Sequence, residues 1–126
     1  MNNIEKGMFA EGIACRFLEN NGFVIKDRNY RRSWGEIDIV ALRQGSLYFI
    51  EVKSSFSAKS RPEENVHKTK VRRLRRTIEM YISEGRVAEE WFGREGETDV
   101  RTAVIAINIS REHRVAKVKF IQTIFA

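Results

Sequence analysis

Apolar residues recur at helical spacing over residues 4–20, with Ala10, Ile13, Ala14, Phe17 and Leu18 on one side, and this spacing predicts an amphipathic helix. Asn20-Asn21-Gly22 closes it, because a glycine just past the last turn accepts the left-handed backbone that ends many helices. Phe23-Val24-Ile25 opens a strand running toward Tyr30, and the polar, basic stretch 28–35 reads as a connection into the next element. Residues 36–42 and 47–53 are β-rich and flank Gln44-Gly45, the pattern of a hairpin with a two-residue loop. Both of its faces carry apolar residues: Val40 and Phe49 on one, Ile37, Ile39, Tyr48, Ile50 and Val52 on the other. Strands of that kind belong inside a sheet covered by helices on both sides.

Beyond the hairpin, residues 54–62 lose their apolar content and read as a mobile loop. A second helix is predicted from Pro62 or Glu63 to Ser83, stopped by Gly85, with the seam Val71, Leu74, Ile78, Tyr81 and Ile82. Residues 86–97 read as irregular, anchored by Trp91 and Phe92. Residues 99–109 and 115–125 read as two strands around a turn at 110–113. The order helix, strand, hairpin, long helix, two strands predicts an α/β fold, a mixed β-sheet flanked by helices, as a single domain over residues 1–126.

Composition narrows this picture modestly. With 126 residues, 42% of them hydrophobic, and a single proline, the chain can bury a real core and shows no linker between domains. No apolar run approaches the roughly 20 residues needed to cross a bilayer. The opening Met1-Asn2-Asn3-Ile4-Glu5-Lys6 lacks the pattern of a secretion signal, and Cys15, the one cysteine, has no partner for an internal disulfide. A cytoplasmic setting without membrane contact is therefore expected. The formal charge of +6 and a pI near 9.8 favour polyanionic partners. Six cations, Lys68, Lys70, Arg72, Arg73, Arg75 and Arg76, fall within nine residues of the second helix. That density suits a solvated face and a nucleic-acid track about equally.

The candidate chemistry lies in the hairpin. With Gln44 and Gly45 as the loop, paired positions sum to a constant, which sets Asp38 opposite Glu51 and Glu36 opposite Lys53, all four on one face. Like charges across a strand pair are destabilising, and burying them is worse unless a cation or proton compensates. A hard divalent ion such as Mg²⁺ does so, held by one or two carboxylates with waters and phosphate oxygens, and Lys53 would then stand beside it as a point charge. The plainer reading is a solvated face with an exposed Glu36–Lys53 pair of little energetic value. Against it, Asp38 and Glu51 are embedded in strands whose other residues are apolar.

Elsewhere the plainer readings prevail. Glu11 lies near the edge of the first helix's apolar stripe and by itself reads as a surface glutamate. His67 and His113 lack metal-ligand spacing, and Cys15 reads as a small buried residue. Trp34 and Trp91 read as packing or loop anchors, although Trp34, flanked by Arg31 and Arg32, has the setting of a base-stacking residue. No Gly-rich phosphate loop, Ser/His/Asp order or dinucleotide fingerprint is present.

Taken with their spacing, Gly7, Glu11 and Ala14, then Asn29-Tyr30-Arg31, then Gly35-Glu36-Ile37-Asp38-Ile39-Val40-Ala41 and Phe49-Ile50-Glu51-Val52-Lys53, followed by Lys70 and Asp99-Val100, carry a resemblance over nearly the whole chain. The chain resembles the YraN-like proteins, a branch of the PD-(D/E)xK nuclease-like superfamily. That resemblance implies a restriction-endonuclease-like core and a metal-dependent endonuclease acting on DNA, with branched or structured DNA as a candidate substrate. It implies Mg²⁺ or Mn²⁺ held by Asp38, Glu51 and the backbone carbonyl of Val52, with Lys53 assisting the attacking water. Glu11 looks like the early helical glutamate of Holliday-junction-resolvase-like members, and Glu11 or Glu36 would orient the water or a second ion. The basic helix would grip nucleic acid, and a homodimer is expected by analogy with resolvases that pair. The chain departs from the common pattern at Ser55, where relatives often carry arginine, and at Thr98, where an aromatic is common. A module that keeps the fold and binds nucleic acid without turnover is the alternative.

Overall fold

Each predicted element forms, and the boundaries follow local chemistry. The computed structural model describes residues 1–56, 68–91, 99–112 and 114–123, together with the helical backbone but not the side chains of 68–73. Helix α1 spans Asn3–Asn20, started by Asn2, whose side chain accepts from the Glu5 N–H at 2.8 Å. It ends with Phe23 N–H donating to Leu18 O and Gly22 N–H to Glu19 O, while Gly22 sits at φ +83°. This paired bonding is the closure a glycine after the last turn permits.

Strands β1 (Val24–Arg32), β2 (Gly35–Arg43) and β3 (Ser46–Ser55) form an antiparallel meander; α2 (Lys68–Ser83) and a short 3₁₀ turn at Glu89–Trp91 precede β4 (Asp99–Ser110) and β5 (Val115–Thr123). The sheet order is β1-β2-β3-β4-β5, with β3 and β4 parallel and the other neighbours antiparallel. Parallel neighbours require a crossover, and α2 lies in it. The fold is α/β with a mixed five-stranded sheet, consistent with a restriction-endonuclease-like core.

One helix covers each face. Ala10, Ala14, Cys15 and Leu18 of α1 pack on Ile39, Ala41, Tyr48, Ile50, Ile105 and Ile107. Leu74, Ile78 and Tyr81 of α2 pack on Tyr30, Ile37, Val40, Leu47 and Phe49. Thr77, rather than Ile82, completes the buried seam of α2, and Ile82 is exposed.

Three expectations need correction. The polar stretch 28–35 is not a free connection: β1 continues to Arg32, which pairs with Gly35, leaving Ser33-Trp34 as a tight turn. Ser54 and Ser55 belong to β3, and the rest of the expected loop, from residue 57, lies outside the described residues, as do Phe92 and the proposed helix start before Lys68. Finally, Ile37 packs with Val40 and Phe49 on the α2 side, whereas Ile39 packs on the α1 side. An uninterrupted strand would put residues 37 and 39 on one face. The change of phase falls at Asp38. Opposite it, between the pairs Arg28–Ile39 and Tyr30–Ile37, β1 holds Asn29 in the left-handed region at φ +57°. A residue of that conformation rotates the chain locally, and asparagine tolerates it better than most side chains.

Candidate active site

The Gln44-Gly45 turn has both residues at positive φ, +50° and +78°, the geometry of a two-residue hairpin loop, and it sets the expected register from Arg43–Ser46 through Ile39–Ile50. There the β2–β3 ladder stops. β3 continues beside β4 as far as Ser55–Asn108, so β2 and β3 part as a fork. Asp38–Glu51 and Glu36–Lys53 are accordingly not ladder partners as expected: regular pairing ends at Ile39–Ile50, next to the phase change at Asp38 and three pairs short of Glu36–Lys53.

The Asp38 side chain fills the gap: its Oδ2 accepts from the Val52 N–H at 2.7 Å. A strand residue directs its N–H and C=O to the same edge, so the Val52 carbonyl shares the edge facing Asp38. Burial raises the Asp38 pKa from 3.8 to about 6; the Val52 N–H opposes the rise, and the nearby charges of Glu36, Glu51 and Glu11 add to it. Three glutamates, Glu11 of α1, Glu36 of β2 and Glu51 of β3, thus bear on one half-buried aspartate.

The surrounding groups differ in their commitments. Lys53 Nζ lies 2.9 Å from Glu51 Oε1, with both side chains about three-quarters covered (25% and 27% exposed). Glu11 is buried, not on the surface, and its Oε1 accepts from Arg28 Nε at 3.2 Å. Glu36 is exposed and pairs with Arg31 at 3.2 Å. Sequence reasoning missed Arg28, whose only signal was its place beside Asn29-Tyr30-Arg31. The Cys15 thiol is raised first by burial, in keeping with a packing role.

A cleft of about 870 Å³ opens beside the fork, between the Ser33-Trp34 turn and α2, and Glu36, Glu51, Lys53 and Arg76 line it. Of the six expected nucleic-acid contacts, Arg76 reaches this cleft, and Arg75 is exposed and pairs with Glu79 at 3.4 Å. The side chains of Lys68, Lys70, Arg72 and Arg73 lie outside the described residues.

Among the described residues, no three carboxylate, histidine or cysteine groups stand together at ligating distance. The donor set nevertheless fits a hard divalent ion. It is all oxygen, it concentrates negative charge about Asp38, and Mg²⁺ takes only one or two carboxylates and keeps several waters.

A mixed sheet between two helices, with an acidic fork beside a cleft lined by both cations and carboxylates, makes an α/β domain consistent with a restriction-endonuclease-like core. The chain belongs to the uncharacterised protein family UPF0102, whose model matches residues 10–107, and this family is a branch of the PD-(D/E)xK nuclease-like superfamily. The matched span includes Glu11, Asp38, Glu51 and Lys53. A UPF0102 protein of Helicobacter hepaticus is 38% identical over 91 residues, covering 72% of this chain and 81% of that protein. One from Thermotoga petrophila is 44% identical over 78 residues (62% and 71%), and one from Helicobacter pylori strain P12 is 42% identical over 80 residues (64% and 68%). Among the described residues, no helix is long and apolar enough to cross a membrane.

Proposed function

We propose that this protein is a divalent-metal-dependent nuclease that hydrolyses DNA phosphodiester bonds. The observation that carries the reading is the half-buried Asp38 at the fork, bonded to the Val52 N–H and surrounded by Glu11, Glu36 and Glu51 with Lys53 adjacent. A strand pair does not retain such repulsion for stability, and perturbed carboxylates beside a cleft are characteristic of functional sites.

Asp38, Glu51 and the Val52 carbonyl would hold Mg²⁺ or Mn²⁺. When bound, the ion supplies positive charge that acidifies water and neutralises a phosphate oxygen. Lys53, relieved of part of its attraction to Glu51, positions the attacking water and donates to the phosphoryl oxygens as negative charge builds on them. Glu36 lines the cleft and is exposed, so it is better placed than Glu11 to accept a proton from that water. Glu11, tied to Arg28, holds α1 against the fork. Arg76 and the cations of α2 grip the DNA backbone, contacts that read little sequence and weaken steeply with salt.

The test compares wild type with Asp38→Ala and Lys53→Ala on linear, nicked, flapped and four-way DNA in Mn²⁺. Wild type is expected to cleave at least one of these, and each substitution to reduce the rate by about 100-fold or more. Cleavage surviving both substitutions contradicts the mechanism. Salt-sensitive binding with no cleavage by wild type makes the protein a nucleic-acid-binding module that retains the nuclease fold.

A further inference from the structure

We infer that Trp34 is a stacking platform for an unpaired nucleotide, so that the substrate at this cleft is a strand locally free of its complement. The inference rests on the nuclease reading for its connection to cleavage, and its structural basis is the turn that carries the indole.

Ser33 and Trp34 form the tip of the β1–β2 hairpin, and two contacts hold that tip in place. Gly35 lies so close to α2 that a Cβ there would collide with Thr77 Oγ1, and Thr77 is fully buried. Arg32 pairs with Glu84 at 3.3 Å, and its guanidinium lies 4.4 Å from the Tyr30 ring centre. The turn is therefore clamped to α2, and Trp34 is presented from a rigid support. Rigid support lowers the ordering cost of binding.

Trp34 is 38% exposed and lines the cleft that also holds Glu51, Lys53 and Arg76. The rings of Tyr30 and Phe49 pack edge-on against Tyr81, and Lys26 sits over Trp91 at 5.7 Å. Among the described residues, no ring or cation packs on Trp34 in this way. Of the large exposed apolar side chains among the described residues, Trp34 is the one that lines the cleft. An indole exposed in a cleft, with cations nearby for phosphates, is a combination that binds single-stranded nucleic acid. Bases inside a duplex are already stacked on their neighbours, so this ring has a partner only where a nucleotide is unpaired or turned out. The cleft's volume, about 870 Å³, is within the range of ligand sites and accommodates a nucleotide with room for its neighbours.

The test is fluorescence binding in a Trp91→Phe background, where Trp34 is the remaining tryptophan, without divalent ions, using a short oligothymidylate and a blunt duplex of equal length. Oligothymidylate is expected to quench Trp34 emission. With affinity read from the anisotropy of fluorescein-labelled probes, Trp34→Ala should weaken oligothymidylate binding by at least about fivefold, Trp34→Phe should retain most of the affinity, and duplex binding should change less than twofold. Absence of quenching, unchanged affinity in Trp34→Ala, or equal losses on both probes overturns the inference. Circular dichroism confirms that each variant is folded. Because the readout needs no catalysis, selective single-strand binding with no cleavage defeats the nuclease reading alone, whereas Asp38-dependent cleavage with no effect of Trp34→Ala defeats this inference alone.

Discussion

Asp38 shows how a single side chain links stability to function. In the folded chain it holds its proton up to about pH 6, against a reference value of 3.8. Between those values the folded state binds more protons than the unfolded state, so stability falls as pH rises through the window and is level above it. The full shift corresponds to about 3 kcal/mol as an upper bound. Asp38→Asn keeps an oxygen for the Val52 N–H and removes the charge. In chelator-containing buffer it is expected to gain about 2 kcal/mol over wild type at pH 7 and almost nothing at pH 4, measured by urea denaturation. A second prediction concerns Glu11: Glu11→Ala should cost about 2–3 kcal/mol by thermal unfolding, because it leaves a cavity beside the core and strips Arg28 of its partner. At this scale alternation and charge singled out Asp38, Glu51 and Lys53, and the structure sets Lys53 against Glu51 with Glu51 bearing on Asp38, although without the expected ladder pairing. The burial of Glu11 was not, because nothing in a helical stripe announces that Arg28, 17 residues away, will lie beside it. Glu36 was placed opposite Lys53 by extending a regular ladder through Asn29 and Asp38, where the backbone is not regular.

Among the elements, the β1–β2 hairpin and α2 form one supporting unit. Tyr81 is fully buried, and its hydroxyl donates to Asp27 Oδ2 at 2.9 Å, joining α2 to β1; Tyr30 donates to Glu84 at 2.8 Å, joining β1 to the end of the helix. Tyr81→Phe should lower stability by about 1.5–3 kcal/mol, the usual worth of a hydrogen bond to a charged group, in chemical denaturation. Gly35→Ala should cost about 1–3 kcal/mol in the same measurement, because the added methyl collides with Thr77 across a packed contact. The Gln44-Gly45 loop and the strand limits of β4 were readable because turn chemistry and apolar runs are local properties. The fork was not, since it depends on β3 exchanging β2 for β4 as its neighbour, and β4 begins 44 residues after β3 ends.

For the whole molecule, the two-sided apolar pattern of the central strands was enough to predict helices on both faces, and α1 and α2 lie there. The charge of +6 gained meaning only when Arg76 was found beside the acidic fork, since net charge by itself does not say where a partner binds. The central claim is that the fork's carboxylates bind a divalent cation. Its most direct test is a calorimetric titration of Mn²⁺ into metal-free protein at pH 7.5, comparing wild type with Asp38→Asn and Glu51→Gln. The expected result is saturable binding by wild type that is lost or weakened at least about tenfold in both variants. Wild-type protein that takes up no Mn²⁺, or variants that bind it as wild type does, would contradict the account.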